Sequence, residues 1–441
     1  MKTIASIAPT GMTGSTAEQR FEAATYRAVT LRIVPLLALC YVFSIVDRLN
    51  IGIAKLQMMP SLGFSDAVYG FGAGVFFLGY LLFDVPSNLM LHRFGARRWL
   101  ARIMITWGML STCMAFVSTS WMFYLLRFAV GAAEAGFFAG IVLYTTYWFP
   151  APRRARIFAM LLFAMPVSAV ISGGASGWLM SFSDRLFGLA GWQWVFVVEG
   201  LPSVLLGFLT WRFLDDGIAQ ARWLSAAQKS LLINNLGPSV ATRPADGTVS
   251  GALSSGRVWL LCAICFAISA GMYGVGFWLP TLIATSGVVG IRSIGWLSAL
   301  PWIVAVIPLW LVGRSSDARG ERRWHVAIPL AVCGLGLLGS VWFSHHAAMA
   351  VLCLTFASCG VLTSLALFWS LPTAFLSGYG AAAGIALINS IGSIAGFVFP
   401  FVIGVIKVRT GSLDYGIVLL AAVILVGACL PLTLRKSVVD R

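Results

Sequence analysis

Two neighbouring ionisable residues, Asp47 and Arg48, lie inside an apolar stretch near the start of the chain, "LCYVFSIVDRLNIG". Charged side chains at membrane depth are costly and usually mark a function. A guanidinium offers a planar pair of donors that matches a carboxylate, and it stays charged. A buried carboxyl group can take up and release a proton. This pair therefore indicates anion binding, proton transfer or an internal ion pair.

A second pair of charges, Arg127 and Glu134, occurs in "LLRFAVGAAEAGFFAG". The two residues are seven apart, so they share one face of a helix, whereas Arg48 lies about 100° round a helix from Asp47. The small residues around the second pair allow close helix packing or leave room for a small ligand. If both segments line one cavity, it holds two guanidiniums and two carboxylates. The alternative is a set of salt bridges that only hold helices together.

Composition defines the setting of these charges. The chain has 441 residues, of which 59% are hydrophobic and 10% are charged, with a mean hydropathy of +0.90. A soluble protein would carry roughly 25% charged residues. Apolar runs of ~20 residues recur along the chain, and they are continuous rather than alternating, which predicts membrane helices rather than barrel strands. The chain is therefore predicted to be an all-α integral membrane protein.

The charge and cysteine patterns exclude several classes of function. The net charge is +15, but the basic residues lie in short clusters between apolar runs, which is typical of membrane topology and not of nucleic-acid binding. The eight cysteines lie mostly in apolar runs, so we predict neither a metal site nor a cofactor. No nucleophile motif or phosphate-binding loop is present, which argues against an enzyme.

Twelve transmembrane helices are predicted, in two pseudo-symmetric six-helix bundles. The predicted spans are residues 33–53, 68–90, 99–119, 122–148, 156–182, 192–213, 258–284, 293–313, 325–343, 347–370, 381–406 and 413–434. The predicted organisation is a cytoplasmic N-terminal tail at 1–30, a first bundle at 31–213, a cytoplasmic linker at 214–257, a second bundle at 258–434 and a cytoplasmic C-terminal tail at 435–441.

An internal repeat and the basic residues support this organisation. The segments "PSNLMLHRFGARR" after the second span and "GRSSDARGERR" after the eighth each contain a basic residue, then a glycine, then a pair of arginines. Such repeats are typical of transporters built from two related halves. Lys and Arg are concentrated in the loops after the even-numbered spans and in the linker, which predicts that both termini are cytoplasmic.

Several motifs together resemble the anion:cation symporter family of the major facilitator superfamily. They are "DRLNIGIAKLQM", "YGFGAGVFFLGYLLFDVPSNLMLHRFGARRW", "RFAVGAAEAGFFAGIVLYTTYWFP", "GWQWVFVVEGLPSV" and "GIALINSIGSIAGFVFP". The resemblance covers about 31–434 and is similar in detail to the bacterial tartrate-transporter-like group. It implies a transporter of the bacterial inner membrane that imports a small organic anion, such as a tartrate-like dicarboxylate or a sugar acid, by proton symport through alternating access.

The resemblance also implies roles for particular residues. Arg48 and Arg127 match the arginines associated with substrate carboxylates, and Asp47 and Glu134 match the proton-coupling carboxylates. Three further residues match or lie near substrate-site positions; they are Tyr80, Asn389 and Trp369. The resemblance implies only the substrate anion, protons and lipid as partners, and the transporter is expected to act as a monomer.

The sequence leaves the direction of transport and the substrate open. An aromatic carboxylate of the phthalate or hydroxyphenylacetate type also fits two arginines, and the protein could exchange or export an anion instead. A sensor that binds anions without moving them is a hypothesis from another class. The roles of Asp84 and Glu199, at membrane depth in the second and sixth predicted spans, stay undecided between function and structure.

Overall fold

The computed structural model describes residues 16–236, 255–375 and 378–434, and in this part of the chain all regular structure is helical. The α-helices are α1 Thr16–Leu49, α2 Ile51–Leu62, α3 Asp66–Phe94, α4 Ala96–Cys113, α5 Ser120–Glu134, α6 Phe137–Thr146, α7 Ala151–Leu162, α8 Ala164–Ala169, α9 Ser176–Phe182, α10 Gly191–Phe213, α11 Ala226–Leu236, α12 Gly256–Thr285, α13 Ile291–Val304, α14 Val306–Arg319, α15 Arg323–Trp342, α16 Ala347–Phe368, α17 Ser370–Phe375, α18 Gly378–Thr410 and α19 Asp414–Cys429. A π-helix, Val170–Ala175, joins α8 to α9.

Eleven helices of the described residues are long and apolar enough to cross a membrane. The predicted span at 156–182 is the one that is missing from this set. Its residues are helical, but they are divided among α7, α8, the π-helix and α9, and none of these pieces alone is long enough to cross. Hydropathy predicted one continuous span here and did not indicate that the helix is interrupted, so this span stays a prediction.

The first helix begins well before the predicted start of the first span at residue 33. α1 starts at Thr16 and runs to Leu49, and α2 continues after the single residue Asn50. Hydropathy marks where apolar residues begin, whereas a helix continues through polar residues of good helix propensity. The predicted linker also contains a helix, α11, while residues 237–254 and the C-terminal tail from residue 435 lie outside the described residues.

The helices pack mainly within two sets, which we call the first half (16–236) and the second half (255–434). In the first half α3 packs on α5 and α4 on α10, and in the second half α12 packs on α18 and α15 on α16. In both copies of the sequence repeat a helix ends at a glycine with positive φ, although ψ differs, at 150° for Gly95 and 18° for Gly320. Gly95 follows α3 with φ of 86° and Gly320 follows α14 with φ of 62°, a backbone conformation that favours glycine.

The two halves meet closely at one end of the molecule, which we call the closed end. There the first part of α3 packs on the last part of α18, and a side chain at Gly70 would collide with the carbonyl oxygen of Pro400. A Cβ at Gly74 would lie 2.7 Å from the carbonyl oxygen of Phe397. Small residues thus bring the backbones of the two halves into contact.

An ion-pair network joins the halves at the closed end. Asp66, the first residue of α3, bonds Lys55 of α2 at 3.3 Å and Lys407 of α18 at 2.9 Å. The Lys55 ammonium also lies 4.1 Å from the ring centroid of Tyr69 and 3.7 Å from that of Trp278 in α12. Only 3% of the Lys55 side chain is exposed, so the carboxylate and the two rings together replace its hydration.

We expect Asp66→Asn to destabilise the closed end, because it leaves the buried Lys55 charge without its carboxylate. The free energy of unfolding should fall by about 3 kcal/mol, as for other broken buried pairs, and the thermal midpoint of the purified protein should fall with it. The matched control is Glu22→Gln, which breaks the exposed ion pair with Arg153 and should cost less than about 1 kcal/mol. Equal effects of the two substitutions would contradict this reading of the network.

Candidate functional site

An ion pair between α1 and α5 forms the centre of the candidate site. Nη2 of Arg48 donates to Oε1 of Glu134 at 2.5 Å, and the hydroxyl of Ser44 donates to the same oxygen at 2.6 Å. Glu134 is 1% exposed, whereas 21% of the Arg48 side chain is exposed. Oε2 of Glu134 is buried and accepts no hydrogen bond within the described chain. The pair therefore ties two helices together and still has a free acceptor.

Arg127 lies on the same face of α5 as Glu134, but it has no ion-pair partner among the described residues. Its Nε donates to the carbonyl oxygen of Gly72 at 3.4 Å, and its buried Nη2 has no partner in that part of the chain. Its guanidinium carbon lies 5.0 Å from the ring centroid of Phe76, and that of Arg48 lies 5.2 Å from the same centroid. One aromatic ring thus contacts both guanidiniums.

The helix that carries Arg127 and Glu134 breaks directly after Glu134. α5 ends at Glu134, Gly136 takes a φ of 81°, and α6 begins at Phe137. Oδ1 of Asp84 accepts the backbone N–H of Gly136 at 3.0 Å, which satisfies a donor that the break leaves free. The sequence left the role of Asp84 open, and the structure shows that its carboxylate caps the helix end at this break. Interrupted helices near bound ligands recur in transporters.

Asp47 lies in a different environment from Arg48, although the two residues are adjacent. Its carboxylate accepts three hydrogen bonds, from Nε1 of Trp107 at 2.8 Å, from Ser111 at 2.8 Å and from Ser203 at 2.7 Å. These donors come from α4 and α10, and Asp47 is 1% exposed. The rotation of about 100° between neighbouring residues turns Arg48 toward α5 and Asp47 into the packing of the first half. The structure therefore brings together Arg48, Arg127 and Glu134 but not Asp47.

The remaining predicted residues lie at different distances from this cluster. The ring of Tyr80 lies 5.4 Å from the Arg48 guanidinium and stacks on Phe76 with centroids 6.2 Å apart. Trp369 is half-buried at the end of α16, against Phe368. Asn389 is exposed on α18, and no side-chain contact joins it to the arginines in the described chain. Tyr80 is therefore part of the cluster, and the roles of Trp369 and Asn389 in a substrate site stay predictions.

Sequence reasoning missed the residues that hold these charges in place. Phe76 and Ser44 were hidden because aromatic and small residues are common in every membrane helix. Tyr273 of the second half lies near Arg48 and packs on Phe77 with ring centroids 4.3 Å apart. The spacing of Ser203, four residues after Glu199, was a usable signal, because it places two polar residues on one face of α10.

The chemistry available at this cluster is binding and proton transfer. Two fixed guanidiniums, one of them unpaired, can hold an anion, and the Glu134 carboxylate can accept a proton. No group of three or more His, Cys, Asp or Glu residues that could hold a metal ion occurs in the described part of the chain. Nothing in this geometry requires a cofactor.

Known proteins similar to this chain are membrane transporters. A sequence profile of the Major Facilitator Superfamily matches residues 37–400. The chain is 45% identical over 419 residues to a "Putative tartrate transporter" of Agrobacterium vitis, covering 94% of this chain and 92% of that protein. It is 41% identical to a "Quinolone resistance transporter" of Acinetobacter baumannii, covering 93% and 94%. It is 37% identical to the "Inner membrane transport protein RhmT" of Escherichia coli strain K12, covering 92% and 94%.

The fold is also that of solved transporters. The structure of a bacterial homologue of the human lysosomal transporter Spinster, in an inward-facing and occupied conformation, matches with a TM-score of 0.73. The match covers 95% of this chain and 97% of that one at 16% identity, so it bears on the fold alone. Together with the profile and the full-length relatives, it leads to one conclusion: this chain belongs to the Major Facilitator Superfamily, and it is a multi-pass membrane transporter and not an enzyme.

Proposed function

We propose that this transporter imports a small organic anion, a tartrate-like dicarboxylate or a sugar acid, by proton symport through alternating access. The observation that carries the proposal is Arg127, a guanidinium that is 1% exposed and has no ion-pair partner in the described chain. Burying an unpaired charge is costly. A substrate carboxylate would pair with it, and the planar fork of arginine suits a carboxylate.

The arrangement of the halves supports alternating access. The two halves contact each other at the closed end, around Asp66, and also where the π-helix packs on α13. With both termini in the cytoplasm of a bacterial cell and the protein in the inner membrane, as the basic loops suggest, this end faces outward. We take 31–213 and 258–434 as the two bodies that rock against each other in a single monomer. Asn389, exposed on α18, would then face the cytoplasmic opening.

Protons would enter through the buried carboxylates. Protonation of Glu134 would weaken its bond to Arg48 and free that guanidinium for the substrate. Asp47 is the second proposed site, and its three donors connect it to α4 and α10, so its protonation would change the packing of the first half rather than the anion site directly. These two roles explain how one proton-coupled step could alter both binding and helix packing.

An aromatic carboxylate is the second candidate substrate, and one observation favours it. The arginines are surrounded by the rings of Phe76 and Tyr80, and Tyr273 lies near Arg48. Such rings can stack on an aromatic acid. Thermal-shift measurements with tartrate, a hexuronate and phthalate, followed by uptake of the acids that stabilise the protein, decide between the two classes. Uptake into vesicles with and without a pH gradient separates symport from exchange or export.

Arg127→Ala should abolish binding of the stabilising acid, because the substitution removes the unpaired charge. A charge-assisted hydrogen bond contributes about 1.5–3 kcal/mol, so the affinity measured by titration calorimetry should fall about 10- to 100-fold or more. Arg127→Lys keeps the positive charge but lacks the planar pair of donors of a guanidinium, so it should lose less affinity than Arg127→Ala. Arg153→Ala, at an exposed ion pair, is the control and should bind normally. Normal binding by a well-folded Arg127→Ala protein would refute the role.

Glu134→Gln should separate exchange from uphill uptake. The amide keeps the shape of the side chain but cannot take up a proton. Counterflow of labelled substrate should therefore continue, while accumulation driven by an imposed proton gradient should be lost. Both are measured in the same proteoliposomes, so the amount of active protein is controlled internally. Accumulation at the wild-type level would show that Glu134 does not couple protons.

A further inference from the structure

Glu199 is a buried carboxyl group that the proposed transport step does not use. It lies on α10, is 4% exposed and has no ion-pair partner in the described chain. One oxygen, Oε1, is hydrogen-bonded to the hydroxyl of Ser176, and the other, Oε2, is buried without a partner there. A carboxylate this deeply buried must be paired, bound to a cation or protonated.

The hydrogen bonds of Ser176 bear on whether Glu199 is ionised or protonated. The Ser176 oxygen contacts two oxygen atoms, Oε1 of Glu199 and the backbone carbonyl of Ile171, the latter at 2.8 Å. A serine hydroxyl carries one proton, so beside an ionised Glu199 it would have to share that proton between both oxygens, as Ser168 shares its proton between two backbone carbonyl oxygens. If Glu199 is a carboxylic acid, it donates to Ser176 and Ser176 donates to Ile171. Both contacts are then satisfied without any other ion.

The nearest titratable group strengthens this assignment. Asp47 is close to Glu199, and Ser203, one turn along α10 from Glu199, donates to Asp47 at 2.7 Å. Two neighbouring carboxyl groups in a low-dielectric interior do not both ionise readily. Asp47 accepts three hydrogen bonds and is suited to carry the charge, whereas Glu199 contacts the Ser176 hydroxyl and lies near the Asn50 amide. Among the elements packed on α10, no basic side chain of the described residues pairs with either.

Among the described residues, further polar groups without hydrogen-bond partners lie near Glu199. Asn50 lies near Glu199 and is completely buried, and neither atom of its amide has a hydrogen-bond partner in the described chain. A cavity of about 30 Å³, large enough for a water molecule, is lined by residues on either side of Asn50 and by the π-helix; these include Leu49, Ile53, Ser172 and Gly173. A water molecule therefore has room beside the π-helix, the segment whose Ile171 carbonyl accepts from Ser176.

The chain of hydrogen bonds from Glu199 ends at the contact between the two halves. Ile171 belongs to the π-helix, in which Gly173 packs so closely on α13 of the second half that a Cβ there would lie 2.8 Å from the carbonyl oxygen of Gly295. Short π-helical turns are frequent at functional sites. Movement of α13 against the π-helix would shift the Ile171 carbonyl and thus the Ser176 hydroxyl that is hydrogen-bonded to Glu199.

We propose that Glu199 is a protonated carboxylic acid in this conformation, and that its proton is held by the Ser176–Ile171 chain only while the π-helix is packed against α13. Glu199 is then a conformation-dependent proton-binding site of the transporter. The presence of this proton does not depend on the identity of the substrate. Its contribution to coupling rests on the proposed function.

Infrared difference spectroscopy of the purified protein at neutral pH tests the assignment. Wild type minus Glu199→Gln should show the C=O stretching band of a carboxylic acid, shifted in D₂O. Glu134→Gln should retain this band, since Glu134 is paired with Arg48. Labelling wild-type protein with ¹³C-glutamate should shift the same band, which tests the assignment even if the variant folds poorly. A band that is absent from wild type, or that disappears only in Asp47→Asn, overturns the proposal.

A substitution at the closed end tests whether protonation of Glu199 depends on the packing of the two halves. Asp66→Asn weakens contacts between the halves, so the band of Glu199 should lose intensity at neutral pH below the temperature at which the variant unfolds. Glu22→Gln, on an exposed ion pair, should leave the band unchanged. An unchanged band in Asp66→Asn refutes the conformational link. Because no substrate is present, these results are independent of whether proton-coupled uptake occurs.

Discussion

A charge inside an apolar interior needs an opposite charge or hydrogen bonds. In the first half, the ion pair between Arg48 and Glu134 provides this. It joins α1 to α5 at the point where the latter breaks. Because Glu134 already pairs with Arg48, it does not pair with Arg127, two turns away on the same helix. The unpaired charge of Arg127 is thus a consequence of which arginine the single carboxylate contacts. The proposed anion site follows from that imbalance.

Interrupted helices place the polar groups of this protein. The break at Gly136 ends α5 at Glu134 and leaves a backbone donor that Asp84 accepts. The π-helix at Val170–Ala175 presents the Ile171 carbonyl to Ser176, next to Glu199. In a bilayer, freed backbone groups need partners within the protein. Each interruption therefore lies beside a carboxyl group, the half-buried Asp84 at the first and the buried Glu199 at the second. The two interruptions lie in adjacent predicted spans, the fourth and the fifth.

At the closed end, the buried charge is an ammonium group, and it is also compensated by neighbouring groups. Lys55 is almost fully buried, and its charge is balanced by Asp66 and by two aromatic rings. Lys407 of α18 shares the same carboxylate. Since these groups come from both halves, separation of the halves would expose them to water. If the closed end opens, as the proposed alternating access requires, none of these charges is left in an apolar environment.

Much of the fold could be predicted, because it depends on composition and period. Continuous apolar runs indicated membrane helices, and the sequence repeat indicated two related halves. In the structure a glycine with positive φ, Gly95 or Gly320, ends a helix in each copy. The first helix and the fifth predicted span were located less accurately. Helices extend beyond apolar boundaries, as α1 does from Thr16. Helices are also interrupted where contacts with other helices require it, and hydropathy does not depend on such contacts.

What the sequence determined by itself was the presence of charges at membrane depth and their spacing along each helix, since these depend only on residue type and helical geometry. The shared face of Arg127 and Glu134 is an example. Only the tertiary structure decided which carboxylate meets which cation. Asp47 turns toward Trp107 and Ser203, and Arg48 turns toward Glu134. The physical reason is that partners for a buried charge come from other helices, whose rotation and distance are set by packing and not by the local sequence.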